Sequence, residues 1–110
     1  MANSGYINPE DALKRVGGNK DLYIKLLGRF VDGNQYEAFL EALKSGDMEN
    51  AAQKIHALKG VVANLSLEKL HEDTVALEKA IKFGEEYEVL LMLFNNSYKT
   101  TLEKIAEYTN

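Results

Sequence analysis

Proline is nearly absent from this chain, which has Pro9 as its one proline among 110 residues. Proline inside a helix removes a hydrogen bond and clashes with the preceding turn, so the chain beyond Pro9 is free of that obstacle. Apolar residues recur there at three- and four-residue spacing, which is the period of an amphipathic helix. No stretch shows a convincing alternation of apolar and polar residues. The sequence therefore predicts an all-α fold.

Capping residues divide the chain into helices joined by short turns. Asn, Asp and Ser side chains accept hydrogen bonds from the first free backbone N–H groups of a helix. Four of them precede apolar-periodic segments and are predicted N-caps: Asn8, Asn19, Asp47 and Ser66. Glycines at 17–18 predict the end of a short first helix, and Gly33 predicts an interruption of the second helix. The last helix is predicted to begin at about Glu85. This pattern predicts an antiparallel up-down bundle with a four-helix core and a short extra N-terminal helix.

Length and composition limit the class of protein. The chain is predicted to form one domain over residues 1–110, with residues 1–7 flexible, and it is long enough to bury a core without crosslinks. It has no cysteine and two histidines, too few ligands for a structural zinc site, so no metal site is predicted. A net charge of −4 with no basic face argues against nucleic acid as a partner. The longest apolar run, residues 89–94, is too short to span a bilayer, so we expect a cytoplasmic protein without membrane contact.

The segment 55–60, IHALKG, places a histidine away from the apolar face of its helix. Because a helix turns about 100° per residue, the centre of the apolar face lies about 130° from His56. That face comprises Met48, Ala51, Ile55, Leu58, Val62 and Leu65. The spacing therefore predicts that His56 is exposed.

Small side chains surround His56. Ala52 lies one turn back and Gly60 one turn on, and glycine inside a helix costs about 1 kcal/mol relative to alanine. Gly60 falls on the histidine side of the helix, so access for another molecule explains it better than core packing. Lys59 lies on the same side and favours the neutral, nucleophilic ring. These features favour a phosphoacceptor histidine; the alternative is an exposed histidine with small neighbours by chance.

The residues 56–60, His-Ala-Leu-Lys-Gly, match the H-x-L-K-G pattern of histidine-containing phosphotransfer domains. The segments 13–19 and 63–65 resemble the flanks of that motif, and the resemblance extends over about residues 9–83. It implies a phosphorelay carrier that shuttles a phosphoryl group between His56 and aspartates of response-regulator receiver domains. Such a carrier is not an enzyme and needs no cofactor of its own, because the receiver supplies the acidic pocket and Mg²⁺.

The resemblance also implies roles for individual residues. His56 would be the phosphoacceptor, Lys59 the charge partner of the phosphoryl group, and Gly60 the residue that leaves clearance. The implied partner-binding residues are Leu13, Gln53, Ala57, Ala63 and Asn64. The expected partners are receiver domains and a hybrid histidine kinase, and the expected state is a monomer.

Three features depart from the family's pattern. Val61 and Val62 follow the motif glycine where small residues are common, and Ser66 stands where a glycine is common. Glu78 occupies the place where some members have a glutamine that supports the histidine. Because a carboxylate would repel a phosphohistidine, Glu78 is predicted to pair with a lysine and not to support His56.

Two other functions compete with that of a phosphorelay carrier. A helical module could bind a receiver or kinase without phosphotransfer, although His56, Lys59 and Gly60 standing together argue against it. An enzyme is remote, because the chain shows no nucleotide-binding glycine loop and no converging acid–base set. His71 has neither lysine three residues on nor glycine four residues on, so it is predicted to be a structural or solvated histidine.

Overall fold

A computed structural model describes residues 5–110, which fold into helices without a strand. The helices are α1 (Pro9–Arg15), α2 (Lys20–Asp32), α3 (Gln35–Lys44), α4 (Met48–Asn64), α5 (Glu68–Lys82) and α6 (Glu88–Thr109). The predicted all-α fold class is confirmed.

Helices α2 and α3 form one broken column that runs antiparallel to α6. Tyr23 of α2 contacts Tyr108 near the end of α6, with ring centroids 5.8 Å apart. Phe39 of α3 contacts Phe94 near the start of α6, at 5.6 Å. Helix α4 packs against α3 and α5, and α5 packs against α6. The α2–α3 column and helices α4, α5 and α6 form an elongated bundle of 40 × 22 × 21 Å, and α1 is the extra N-terminal helix.

The core is built from apolar side chains on the inward face of each column. Its fully enclosed members include Tyr23, Leu27, Phe39, Ala51, Ile55, Leu58, Val62, Leu67, Leu70, Leu77 and Phe94. Removal of this apolar surface from water is the main force that holds amphipathic helices together. The predicted inward face of α4 is confirmed except at Met48, which is 37% exposed because it stands in the first turn, at the end of the bundle.

Three of the four predicted caps are confirmed. The side chains of Asn8, Asn19 and Asp47 each accept a hydrogen bond from a backbone N–H in the first turn of α1, α2 and α4. The predicted interruption at Gly33 is also confirmed, because α2 ends at Asp32 and α3 begins at Gln35. Short polar residues and glycine thus set most of the helix boundaries.

The prediction that Ser66 caps a helix is wrong. Its backbone lies in the left-handed region, with φ 56°, and Leu67 holds the cap position of α5. The Ser66 hydroxyl donates to Oδ2 of Asp11 at 2.7 Å, and its carbonyl accepts from the N–H of Asn8 at 3.0 Å. Ser66 therefore joins α1 to the turn between α4 and α5, in a conformation that suits glycine.

The last helix begins later than predicted, at Glu88 instead of Glu85. The N–H of Glu85 donates to the carbonyl of Ala80 at 2.9 Å and closes the end of α5 around Gly84, whose φ is +66°. Glu85 therefore belongs to the termination of the preceding helix.

The N-terminal segment is packed from Ile7 onward. Ile7 is buried and belongs to the core cluster. The prediction that residues 1–7 are flexible is therefore wrong at Ile7. Residues 1–4 of the predicted flexible segment lie outside the described residues.

Candidate functional site

His56 lies midway along α4 on its outer face. Its side chain is 71% exposed, whereas the adjacent Ile55 is fully buried. The predicted exposure of His56 is confirmed, and the imidazole is accessible to a molecule that approaches α4 from outside the bundle.

Glu78 of the neighbouring helix α5 holds the His56 ring. Its Oε2 atom lies 2.7 Å from Nδ1 of His56, and its Oε1 atom lies 2.6 Å from Nζ of Lys59. The predicted pairing of Glu78 with a lysine is confirmed. The prediction that Glu78 does not support the histidine is wrong, because the register of α4 against α5 brings the carboxylate to both side chains. We call His56, Lys59 and Glu78 the histidine cluster.

The carboxylate of Glu78 is ionised at neutral pH. Burial raises the pKa of Glu78, but the hydrogen bonds from Lys59 and His56, together with their charges, outweigh burial and hold the pKa below its ordinary value. The Glu78 side chain is only 13% exposed, so water screens these contacts weakly. Lys59, which the resemblance implies as the charge partner of a phosphoryl group, is paired with Glu78 in this structure.

The contact with Glu78 selects the tautomer of His56. A neutral imidazole has one N–H donor and one nitrogen with a free lone pair, and an ionised carboxylate can only accept. Nδ1 of His56 therefore donates to Glu78, and the lone pair lies on Nε2. A carboxylate partner also fixes the orientation of the ring. The arrangement presents Nε2 as a nucleophile.

A shallow hollow of about 270 Å³ lies beside the histidine between α4 and α5. Its lining residues are Ala52, Gln53, His56, Glu78 and Lys82. Within residues 5–110, Lys82 forms no ion pair. Lys82 is not apparent from the sequence, because only the packing of α5 on α4 brings it to the site. Its ammonium lies 5.9 Å from the centroid of the Phe83 ring and is not neutralised by a carboxylate of the described residues.

Gly60 opens the same face one turn beyond His56. A Cβ atom added at Gly60 would meet nothing within 4 Å. Packing inside the bundle therefore gives no reason for a glycine in the interior of α4, where it costs about 1 kcal/mol relative to alanine. The absence of a side chain at Gly60 leaves room for another molecule to approach His56.

Most of the predicted partner-binding residues share the outer face of α4. These are Gln53, Ala57, Ala63 and Asn64. Leu13 lies apart on α1, half-buried and packed against the core. The structure thus gathers four of the five around His56, while Leu13 is held at the end of the bundle where α1 joins the α4–α5 turn.

Comparisons of this chain with protein-family profiles, characterised proteins and solved structures give no match. Residues 5–110 contain no helix that is both long and apolar enough to cross a membrane. In the same range, no three His, Cys, Asp or Glu side chains come together as a candidate metal site. Any functional assignment therefore rests on the contacts of the histidine cluster and on the motif at 56–60.

Proposed function

We propose that this protein is a histidine phosphotransfer domain of a two-component phosphorelay, as its motif at 56–60 suggests. The observation that carries the proposal is the histidine cluster: an exposed imidazole whose Nδ1 atom is tied to an ionised carboxylate. An ordinary surface histidine needs no buried carboxylate to fix its tautomer. A phosphoacceptor gains from such a contact, because the nucleophilic nitrogen must face the donor.

The reaction is a reversible transfer between an aspartyl phosphate and Nε2 of His56. The Nε2 lone pair attacks phosphorus, the N–P bond forms as the bond from phosphorus to the aspartate oxygen breaks, and the aspartate leaves as a carboxylate. The proton on Nδ1 stays on the ring, and Glu78 stabilises the positive charge that develops there. In the reverse direction the receiver's aspartate attacks the phosphohistidine.

The carboxylate at the site is compatible with a phosphoryl group because of where it lies. Glu78 contacts the ring nitrogen opposite the one that reacts, and Lys59 compensates its charge at 2.6 Å. A phosphoryl group carries up to about two negative charges. Lys82 lines the adjacent hollow, and its ammonium, which contacts the Phe83 ring and no carboxylate, can turn to offset part of that charge. The repulsion expected from the sequence is thereby reduced.

The chain supplies a nucleophile and a docking surface, and the partner supplies the rest. The outer face of α4, with Ala57, Gly60 and Asn64, receives a response-regulator receiver domain. The receiver brings its acidic pocket and Mg²⁺, which neutralises charge on the transferred phosphoryl group. The protein thus acts as a monomeric, cytoplasmic phosphoryl carrier without its own enzymatic activity or cofactor. A hybrid histidine kinase is the expected source of the phosphoryl group that enters the relay.

Phosphotransfer from labelled receivers tests this function. A panel of receiver domains, phosphorylated with labelled phosphoramidate and freed of the small donor, is mixed with the wild type and with His56→Gln. We expect acid-labile, base-stable label on the wild type and none on the variant. A receiver that binds both proteins and labels neither would instead favour the interaction module that lacks phosphotransfer.

A further inference from the structure

Exposed apolar side chains concentrate where α5 gives way to α6. Phe83, Val89, Met92 and Leu93 are between 42% and 65% exposed, and we call these four residues the α5–α6 patch. Single exposed apolar residues are common on proteins, but a cluster of large ones marks an interaction site more often. The patch is therefore a candidate second surface, in addition to the histidine cluster.

The patch is not a part of the core that failed to close. Val89, Met92 and Leu93 are spaced three and four residues apart, so they share one face of α6. The opposite face of α6 carries Phe94 and Tyr98, which are buried against the bundle. Helix α6 thus has an apolar outer face in its first turns in addition to the inner face that holds the fold.

Acidic side chains surround the patch. Glu85, Glu86 and Glu88 lie in the chain between Phe83 and Val89, and all three are exposed. Across residues 5–110, none of these three carboxylates forms an ion pair or a side-chain hydrogen bond. One cation also borders the patch, since Nζ of Lys82 lies 5.9 Å from the centroid of the Phe83 ring, so three carboxylates stand against one ammonium. An apolar centre with a mainly acidic rim is complementary to apolar residues flanked by lysine or arginine.

The acidic rim also distinguishes between possible occupants. A second copy of this chain would bring like carboxylates together, which costs free energy. An anionic lipid surface would repel the same carboxylates. We therefore propose that the α5–α6 patch binds an amphipathic segment of a partner protein, in which apolar residues are flanked by basic ones.

The α6 part of the patch and the histidine cluster lie on different sides of the bundle, whereas Phe83 lies nearer the cluster, because Nζ of the hollow-lining Lys82 is 5.9 Å from the centroid of the Phe83 ring. Helices α3 and α5 each pack against both α4 and α6, so α4 and α6 are diagonal neighbours and their outer faces point apart. A segment on α6 would leave His56 free. The patch can therefore hold the protein to one partner while α4 meets another. This inference does not depend on phosphotransfer and would stand without it.

A synthetic peptide tests the inference on the full chain. The probe is a fluorescein-labelled helical peptide of leucine and lysine, and the control peptide has glutamate in place of lysine. We expect saturable binding of the lysine peptide by fluorescence anisotropy, weakened by added salt, and no binding of the glutamate peptide. Met92→Asp should weaken binding at least tenfold, and the triple change of Glu85, Glu86 and Glu88 to Gln should weaken binding and reduce its salt dependence.

Leu22→Asp is the matched control, because Leu22 is exposed to a similar extent but lies on α2. It should leave peptide binding unchanged, and circular dichroism checks that every variant is folded. Failure of the lysine peptide to bind, equal binding of both peptides, or insensitivity to Met92→Asp would each overturn the proposal. So would a dimer in sedimentation that Met92→Asp abolishes, because the occupant would then be a second copy.

Discussion

At the scale of single residues, His56 is set apart by the carboxylate behind it. Exposure alone would describe many surface histidines, but Glu78 is mostly buried and points one oxygen at Nδ1 and the other at Nζ of Lys59. The His56 ring and the Lys59 ammonium, which lie one turn apart on α4, thus both contact the same carboxylate. Such an arrangement fixes the ring before any partner arrives, so less ordering is needed at the moment of reaction.

Replacement of Glu78 by glutamine should slow phosphorylation of His56. Glutamine keeps the shape but removes the charge that stabilises a positive ring. In metal sites the loss of a histidine's carboxylate partner costs about 10–100-fold, and we expect a loss of similar order here. The rate of phosphate incorporation from phosphoramidate measures the effect. Glu72→Gln is the control, because Glu72 lies exposed on the same helix. Equal rates for the wild type and Glu78→Gln would show that the contact does not assist the reaction.

Glu78 should also contribute to the acid sensitivity of folding. Because its folded-state pKa is depressed below the ordinary value of 4.5, its contribution to stability is full above that value and is lost as the pH falls through the folded-state pKa. The free energy of unfolding of the wild type should therefore fall more steeply between about pH 5 and pH 3 than that of Glu78→Gln. Urea titrations across this range measure both slopes, and parallel slopes would contradict the assignment.

Gly60→Ala should separate folding from function. A Cβ atom at Gly60 meets nothing in the chain, so alanine should stabilise the helix by about 1 kcal/mol. Under the proposed function the same atom would meet a docking receiver, so phosphotransfer from a receiver should slow while labelling by small phosphoramidate is unchanged.

Gly28→Ala is the matched control, because Gly28 is another exposed helix-interior glycine with open space around it. It should give a similar gain in the midpoint of urea unfolding without any loss of phosphotransfer. If both glycine variants slowed transfer equally, the clearance role of Gly60 would be wrong.

At the scale of elements, helix boundaries are predictable where contacts within the next turn determine them. The predictions fail where tertiary contacts determine the boundary. Asn8, Asn19 and Asp47 are recognisable because their caps involve only the next turn. Ser66 has the same residue chemistry, but its hydroxyl bonds to Asp11 on a different helix, which no local pattern reveals. The predicted start of α6 is wrong for a similar reason, since the N–H of Glu85 donates to the carbonyl of Ala80 at the end of α5.

Tyr23→Phe should loosen the attachment of α2 to the end of α4. The Tyr23 hydroxyl is buried and donates to the carbonyl of Leu65, the C-terminal cap residue of α4, at 2.7 Å. Its removal leaves that carbonyl unpaired, which should lower the free energy of unfolding by about 1–3 kcal/mol. Because Tyr23 lies away from the histidine cluster, phosphate incorporation in the native protein should be unchanged. An unaltered unfolding midpoint would contradict the role assigned to this bond.

At the scale of the whole molecule, the candidate site divides into a part that one helix determines and a part that the bundle determines. His56, Lys59 and Gly60 lie within two turns of α4, so helical geometry places them on one side and the sequence suffices. Glu78 and Lys82 come from α5, and only the register of the packed helices decides which of its residues reach the imidazole. Periodicity indicates which face of α5 is inward, but it does not fix that register.

The most direct test of the proposed function is phosphorylation of the purified chain by phosphoramidate, followed by phosphorus NMR and intact mass. For the wild type we expect one acid-labile, base-stable phosphate with the chemical shift of an Nε2-linked phosphohistidine. The phosphate should be absent from His56→Gln, whose fold is checked by circular dichroism. Absence of phosphate on the wild type, its presence on His71, or linkage through Nδ1 of His56 would contradict the role of the histidine cluster.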